Sequence, residues 1–438
     1  QPALSPSRPI ACANAHKRRY MELTQGVKFR VLPSVKFKDI GIYIRFIHPL
    51  TPQFATKCSL MALMMTDRCE AYPTKQAMSR RSDELYGLSL GTQTVGYGAA
   101  QVMEMRARMI HPRFAHSASF LEEGIRFLCE LIFAPLFSEE NLEEAKRVLR
   151  MKIERMQDDA AQYVIHRGLK EAGKGHPLAV SSLGEIEELE GLTLEDMRQT
   201  HQALLERSGI EILVCGDLQE AQVGPLFRQY FSFVPREAAA DTHYVVTGEG
   251  QPETLLEERD IPQTSIMVLY YTHTDVLDPD YYALRVMNAM LGQYSTSLLF
   301  QNVREKNSLC YSIYSNLISF DGALGIMTGV DPQHVDKALA LIEEQVEKLR
   351  QGDFDDELLT VSQTMIRSSL KAGDDVMNSI VALQYQNDLL GRDYTSDTII
   401  SLVDQVSRED VIAMARRLEH RLTCIVGRKE DADEDDQK

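Results

Sequence analysis

The sequence predicts an α+β protein built twice: two similar halves, each a largely antiparallel sheet with helices packed on one face, joined by a linker. Three observations lead to this. Stretches of text recur in the same order at a near-constant offset. Period-two apolar runs, the mark of half-buried strands, come in pairs. Each pair is followed by two or more runs of helical period, whereas a doubly wound parallel sheet would alternate strand and helix one for one.

The recurrence starts from helix openings. Phe137-Ser-Glu-Glu140-Asn-Leu142 and Phe354-Asp-Asp-Glu357-Leu-Leu359 share Phe, Glu and Leu at one spacing, 354 − 137 = 217, and both open a long amphipathic helix. Leu194-Glu195-Asp196-Met197 and Arg408-Glu409-Asp410-Val411 each lead through a helix into an apolar strand, 210–216 and 422–427, at offsets 410 − 196 = 214 and 427 − 216 = 211. Upstream, 40–48 (IGIYIRFIH) resembles 265–273 (SIMVLYYTH), at 273 − 48 = 225. Ordered matches of this kind mean a duplicated unit with small loop insertions. The division they imply is a loose lead-in over 1–20, a first half over 21–234, a linker over 235–252, a second half over 253–429 and an acidic tail over 430–438. The lead-in mixes Pro, Ser and basic residues without period, and the linker text PREAAADTHYVVTGEGQP is loop-like. The tail EDADEDDQK solvates rather than packs.

Element by element, alternation and β-branched or aromatic residues predict strands over 40–47, 101–110 and 210–216 in the first half. In the second half they predict strands over 265–272, 309–320, 323–330 and 422–426. Apolar residues three and four apart predict helices through Phe120, Ile125, Leu128 and Ile132, then Leu142, Ala145, Leu149, Ile153 and Met156, and later Val335, Leu339, Ile342, Val346 and Leu349. The segment 54–69 (FATKCSLMALMMTDRC) reads as an apolar helix.

Composition narrows the function. With 438 residues there is room for two sizeable cores, and 44% apolar with 25% charged residues is ordinary for a folded domain, which excludes disordered and collagen-like chains. The net charge of −17 repels phosphate backbones, so nucleic acid is not expected as a partner. No run approaches the roughly 18 apolar residues of a membrane-spanning helix, and the first twenty residues lack a secretory core; a cytoplasmic location is expected. Cys12, Cys58, Cys69, Cys129, Cys215, Cys310 and Cys424 are odd in number and far apart, which reads as free thiols, mostly in the core.

Familiar catalytic signatures are missing. There is no phosphate loop, no G-x-S-x-G, no dinucleotide fingerprint, and neither H-E-x-x-H nor H-x-x-E-H. His111 and His116, with Pro112 between them, read as surface or loop histidines, and Glu419-His420 as a helix-end pair. Cys310 has no neighbouring base to lower its pKa and reads as an inert thiol.

The most specific text is Leu299-Phe-Gln-Asn-Val303-Arg304-Glu-Lys-Asn-Ser-Leu-Cys-Tyr311-Ser312. It resembles the L-F-x-x-x-R-E-x-x-x-L-x-Y-S stretch of the M16 zinc metallopeptidases, the family of pitrilysin, insulysin and mitochondrial processing peptidase. That family is built from duplicated α+β halves, so the resemblance fits the duplication and covers nearly the whole chain from about Met21. It implies a catalytic half with H-x-x-E-H on the helix after the first strand plus a later Glu, and a paired half whose Arg and Tyr hold peptide across a closed chamber.

Only the second part matches. The corresponding helix, 54–69, has no His and no Glu, and Leu60, Met61, Leu63, Met64 and Met65 cannot supply the three or four N, O or S ligands that zinc takes at about 2 Å. Arg304 and Tyr311 have the family's spacing, 311 − 304 = 7. With Arg304 ending a helix that begins near Leu298, and Tyr311 starting a strand, a turn through Asn307 and Ser308 would bring guanidinium and phenol onto one wall as donors for a peptide carbonyl or oxyanion. The plainer reading pairs Arg304 with a nearby acid and leaves Tyr311 a strand residue. Leu85-Tyr-Gly87-Leu-Ser-Leu90-Gly91-Thr92 resembles the family's peptide-pairing edge strand, but has Leu90 or Gly91 where catalytic members carry Asn.

The resemblance therefore implies a zinc-free subunit, without a metal or catalytic residue of its own, that binds a peptide or unfolded segment through Arg304 and Tyr311 and pairs with a zinc-bearing M16 chain. It also points to the bacterial branch linked to modification of a translation elongation factor. A scaffold of the same fold that cleaves nothing is the alternative, and a homodimer in isolation is open.

Overall fold

The computed structural model describes residues 20–115, 117, 119–237, 244–248 and 251–427. The expected lead-in apart from Tyr20, residues 238–243 and 249–250 of the expected linker, and the acidic tail lie outside these residues. The first sheet contains β1 (Met21–Thr24), β2 (Val27–Pro33), β3 (Asp39–Pro49), β4 (Ser89–Tyr97), β5 (Ala100–Ile110) and β6 (Gly209–Gly216), in the order β1-β2-β6-β3-β5-β4. The second contains β7 (Glu253–Glu258), β8 (Thr264–Tyr271), β9 (Cys310–Ile318), β10 (Ala323–Val330) and β11 (Glu419–Gly427), in the order β7-β11-β8-β10-β9. Apart from β1, the two orders are the same pattern, and every pairing is antiparallel except β2 with β6 and β7 with β11. This is the duplicated α+β architecture the sequence predicts. Strands β1, β2 and β7 were not expected, and Glu419-His420 opens β11 rather than closing a helix, which ends at Arg417.

The recurring text turns out to be helix-start chemistry. Ser138 and Asp355 cap helices Glu139–Asp158 and Asp356–Gly373 by accepting from Asn141 N and Leu358 N, at 355 − 138 = 217. Thr193 and Ser407 open helices Leu194–Arg207 and Arg408–Arg417 with full capping boxes closed by Asp196 and Asp410, at 407 − 193 = 214.

Each sheet buries one face under its own helices and the other under a helix lent by the opposite half. On the first sheet Ile40, Ile42, Ile44 and Phe46 face their own helices, the Met-rich Pro52–Asp67 among them. The alternate residues Tyr43 and Ile47, with Val102 and Leu213, pack under Met377, Val381 and Tyr385 of the second-half helix Met377–Leu389. Reciprocally, Val164 of the first-half helix Ala160–Ala172 packs on Met267, Leu269, Leu422 and Cys424 of the second sheet. Gly168 makes this approach possible, because a Cβ there would lie 2.6 Å from Met267 Sδ. Tyr271 Oη donates to Ala172 O at 2.6 Å and Arg167 Nε to Glu257 at 2.9 Å. The two lent helices start 377 − 160 = 217 residues apart, so the exchange is itself part of the duplication.

A charged row crosses the first sheet beneath the lent helix. Arg45 on β3 stands in register with Glu104 on β5 and Glu211 on β6. Arg45 Nε donates to Glu104 at 2.6 Å, both side chains only 6% exposed, and its guanidinium lies 4.0 Å from the Tyr385 ring. Gln93 Nε2 donates to Glu104 at 3.0 Å. Glu211 meets Asp388 of the lent helix, which Arg30 approaches at 3.5 Å. Burial first, and then the hydrogen bond to Asp388 and its negative charge, hold the Glu211 carboxyl protonated well above its ordinary 4.5. Protonated Glu211 donates to the Asp388 carboxylate.

In the unfolded chain Glu211 loses its proton near pH 4.5, and in the fold it keeps it to higher pH. The stability this site contributes is fully present below pH 4.5 and falls as pH rises through the folded value. Glu211→Gln keeps the shape and the donor but cannot ionise. Melting temperatures of wild type and Glu211→Gln from pH 4.5 upward into the alkaline range are expected to diverge, the variant gaining as pH rises; a constant difference over that whole range would show that Glu211 titrates like an exposed carboxylate.

Candidate functional site

The chain reaches Arg304 through a widened helix. After helix Tyr281–Asn288, residues Ala289–Gln293 form a π-turn, and Phe300–Glu305 form a second. In that second turn Lys306 N bonds to Gln301 O at 3.1 Å, an i to i−5 bond that inserts one extra residue per turn. Val303 is buried in the second core, and Asn302 Nδ2 donates to the buried Gln345 at 2.8 Å, pinning the turn to helix Val335–Gln351.

The exit is equally constrained. Asn307 Nδ2 donates to Asn302 O at 2.8 Å, Ser308 N to Arg304 O at 2.9 Å, and Ser308 adopts φ +52, in the left-handed region. Leu309 is then buried and β9 begins at Cys310. The Arg304 guanidinium lies 5.6 Å from the Tyr311 ring centroid and 4.4 Å from that of Phe300, so the three side chains share one wall. Tyr311 is 83% exposed, and its hydroxyl has no partner among the described residues. Arg304 is 31% exposed and meets one acid, its own neighbour Glu305, at 3.4 Å, so part of the plainer pairing also holds. Both residues sit where β9 starts, and β9 is an edge strand paired only with β10. Unpaired edge groups beside two outward donors can accept an extended peptide as an added strand.

The first half also has a sheet edge, β4. Leu90 and Gly91 lie on β4, the free edge of the first sheet, and a Cβ at Gly91 would meet nothing within 4 Å, so glycine is not sterically required there. Helix Pro52–Asp67 turns Leu60, Met61, Met64 and Met65 into the core. No group of three or more His, Cys, Asp or Glu capable of holding a metal occurs among the described residues, so the side chains present do not fit zinc. His48 does meet Cys58, Nε2 to Sγ at 3.1 Å. Burial lowers the imidazole to about 4 and pushes the thiol up, so at neutral pH neither is charged, the reverse of an activated Cys–His pair. Cys310 is likewise raised, first by burial. Among the other cysteines, Cys58, Cys69, Cys215 and Cys424 are buried thiols and Cys129 is half-buried, while Cys12 lies outside the described residues. His111 is a half-buried loop residue whose Nδ1 accepts from Arg113 N; His116 lies outside the described residues.

Two duplicated α+β halves, an Arg/Tyr wall on one sheet edge and the lack of a metal-holding cluster among the described residues make the chain similar to inactive homologues of the M16 peptidases. Residues 191–365, which include Arg304 and Tyr311, match the family described as the peptidase M16 inactive domain. The chain is similar to the probable inactive metalloprotease YmfF of Bacillus subtilis (strain 168), 26% identical over 400 residues that cover 90% of this chain and 94% of that one. A conserved protein from Enterococcus faecalis V583 superposes with a TM-score of 0.89 at 26% identity, covering 95% of this chain and 99% of that one. A peptidase M16 inactive domain from Pseudomonas fluorescens shares the fold, with a TM-score of 0.77 at 17% identity over 94% and 98% of the two chains.

Because Tyr311 is held by its surroundings at the ring and not at the hydroxyl, Tyr311→Phe is expected to leave unfolding free energy within about 0.5 kcal/mol of wild type. Ser308→Gly relieves a left-handed backbone and is expected to stabilise by about 0.5 to 1 kcal/mol after glycine's own entropy is counted. Urea denaturation of the two variants measures both, and a destabilised Ser308→Gly would mean that the turn is held by the serine side chain instead.

Proposed function

We propose that the chain is the Arg304/Tyr311 subunit of a two-chain M16 peptidase and closes a chamber around a peptide or unfolded segment with a partner that carries H-x-x-E-H. The observation that carries this reading is the contrast between two places. The β9 edge opens with two outward donors on one wall, whereas the helix corresponding to the family's metal helix is committed to packing. In this division of labour the partner activates water while Arg304 and Tyr311 orient a peptide carbonyl and neutralise charge that develops on it. The reading includes a cytoplasmic location and a place in the bacterial branch associated with modification of an elongation factor.

One observation favours a second reading, a non-cleaving scaffold: Arg304 is already engaged by Glu305 and Phe300 within its own turn. Hydrolysis of unfolded peptides by this chain alone, and mixed with a zinc-bearing M16 chain, separates the two. The expectation is no hydrolysis alone, chelator-sensitive hydrolysis by the pair, and a loss of about 100-fold in the pair carrying Arg304→Ala with Tyr311→Phe. Undiminished activity of that variant pair would favour the scaffold, and chelator-resistant hydrolysis by the lone chain would overturn both.

A further inference from the structure

Between the halves lies a second polar feature that the peptide wall does not use, a cavity of about 670 Å³. Its walls are the end of β4, the stretch after β9, and helices Tyr281–Asn288, Asp356–Gly373 and Met377–Leu389. Two arginines line it, Arg285 and Arg392, and neither has a carboxylate within 4.0 Å among the described residues, although the chain has 64 acidic side chains against 47 basic ones. Arg30 finds Asp388, Arg45 finds Glu104 and Arg81 finds Glu123, whereas the buried Arg236 is met by the carbonyls of Val234 and Ser208. Arg285 rests 5.9 Å from the Tyr282 ring. Arg392 lies 4.8 Å from the Tyr394 ring and donates to Val276 O at 3.3 Å, while its Nε is buried without a partner. The Tyr282 hydroxyl is also buried and unpartnered. The Tyr282 and Tyr394 rings lie 6.4 Å apart, so the two guanidiniums, each against one of these rings, share one neighbourhood.

A guanidinium cannot shed its proton, so two of them lining one cavity without an acid at either, one with a buried donor unmet, favour an anion there. The acids lining the same cavity are already occupied: Asp321 accepts from Tyr244 Oη and Asp374 from Ser396 Oγ. Their presence disfavours two charges concentrated on one group, as in phosphate, and leaves room for the single charge of one carboxylate. We propose that this cavity binds a carboxylate, held by Arg285 and Arg392. The planar guanidinium fork matches a carboxylate in two-point contact. The carboxylate comes either from a peptide or from a free small organic acid. A peptide lying along β9 from Tyr311 reaches the cavity after seven or eight residues, at about 3.3 Å each. Only the peptide source rests on the peptide-gripping reading; the site itself does not.

Calorimetry on the full chain tests this with glutarate, with a ten-residue unfolded peptide as its free acid and as its C-terminal amide, and with inorganic phosphate. Glutarate is expected to bind, to weaken at least tenfold in both Arg285→Gln and Arg392→Gln, and to be unchanged in Arg304→Ala with Tyr311→Phe, which separates this site from the peptide wall. A tenfold preference for the acid over the amide assigns the carboxylate to a peptide terminus, and glutarate binding without that preference assigns it to a small acid; both support the site. No glutarate binding together with equal affinity for acid and amide overturns it. So do unchanged affinities in both folded Gln variants, and so does phosphate binding more tightly than glutarate. Melting curves verify that each single variant is folded.

Discussion

The exchange of one helix between the halves is the constraint on which the rest of the molecule depends. Each sheet is apolar on both faces, and its own helices cover only one. Without Met377–Leu389, the first sheet would present Tyr43, Ile47, Val102 and Leu213 to water; without Ala160–Ala172, the second would present Met267, Leu269 and Leu422. Apolar areas of that kind are not left bare on a stable unit. Neither half is thus a complete folding unit, and the relative placement of the halves is fixed by core packing rather than by a flexible joint. Fixed walls between the halves follow from this, and so do two sheet edges, β4 and β9, that stay unpaired because the covering helices lie on the faces.

The two sides of the exchange are not equivalent. Where the first-half helix carries Gly168 against Met267 and Cys424, the position 217 residues later is Tyr385, stacked under Arg45. One contact is dry and the other is polar. A buried ion pair contributes little net stability compared with apolar side chains of the same shape, but removing one partner costs about 3 to 5 kcal/mol. Its value here lies in register. Because strand side chains alternate, a one-residue slip of β3 would drive Arg45 into the core beneath helix Pro52–Asp67, where no acid awaits it. The row through Glu104, Arg45 and Glu211 therefore locks three long apolar strands whose hydrophobic pattern alone would tolerate sliding.

Most of this fold was legible because the duplicated signals are local. The matched Phe, Glu and Asp near 137, 354, 196 and 410 stand in or beside helix caps, and capping acts within four residues. Strand β2 carries a short readable trace, since Val27, Phe29 and Val31 alternate with Lys28 and Arg30. Strand β7, with sequence ETLLEE, left almost none, because it is an edge strand held by backbone pairing to β11. The wall of Arg304 and Tyr311 was visible as spacing, but the π-turn that sets its geometry is not, since no residue preference marks it. Charged residues inside apolar strands, Arg45 in IGIYIRFIH and Glu211 in GIEILVCG, were the missed clue to the polar row. The lent helices were invisible as an exchange, because sequence patterns report that a face is apolar and not which half covers it.

The distribution of local cost sharpens the contrast between the two candidate places. Helix Pro52–Asp67 is regular, starts with Pro at its first position and buries its methionines, which is what a helix selected only for packing looks like. The approach to Tyr311 is the opposite: a π-turn that gives up the normal hydrogen-bond ladder, a serine in the left-handed region and a large aromatic ring held in solvent. Unfavourable geometry persists where the surrounding structure holds it, and such geometry gathers at sites that act on something. Here Gln345 and Asn302 hold it through a part-buried amide pair, so the wall's shape is set before any ligand arrives.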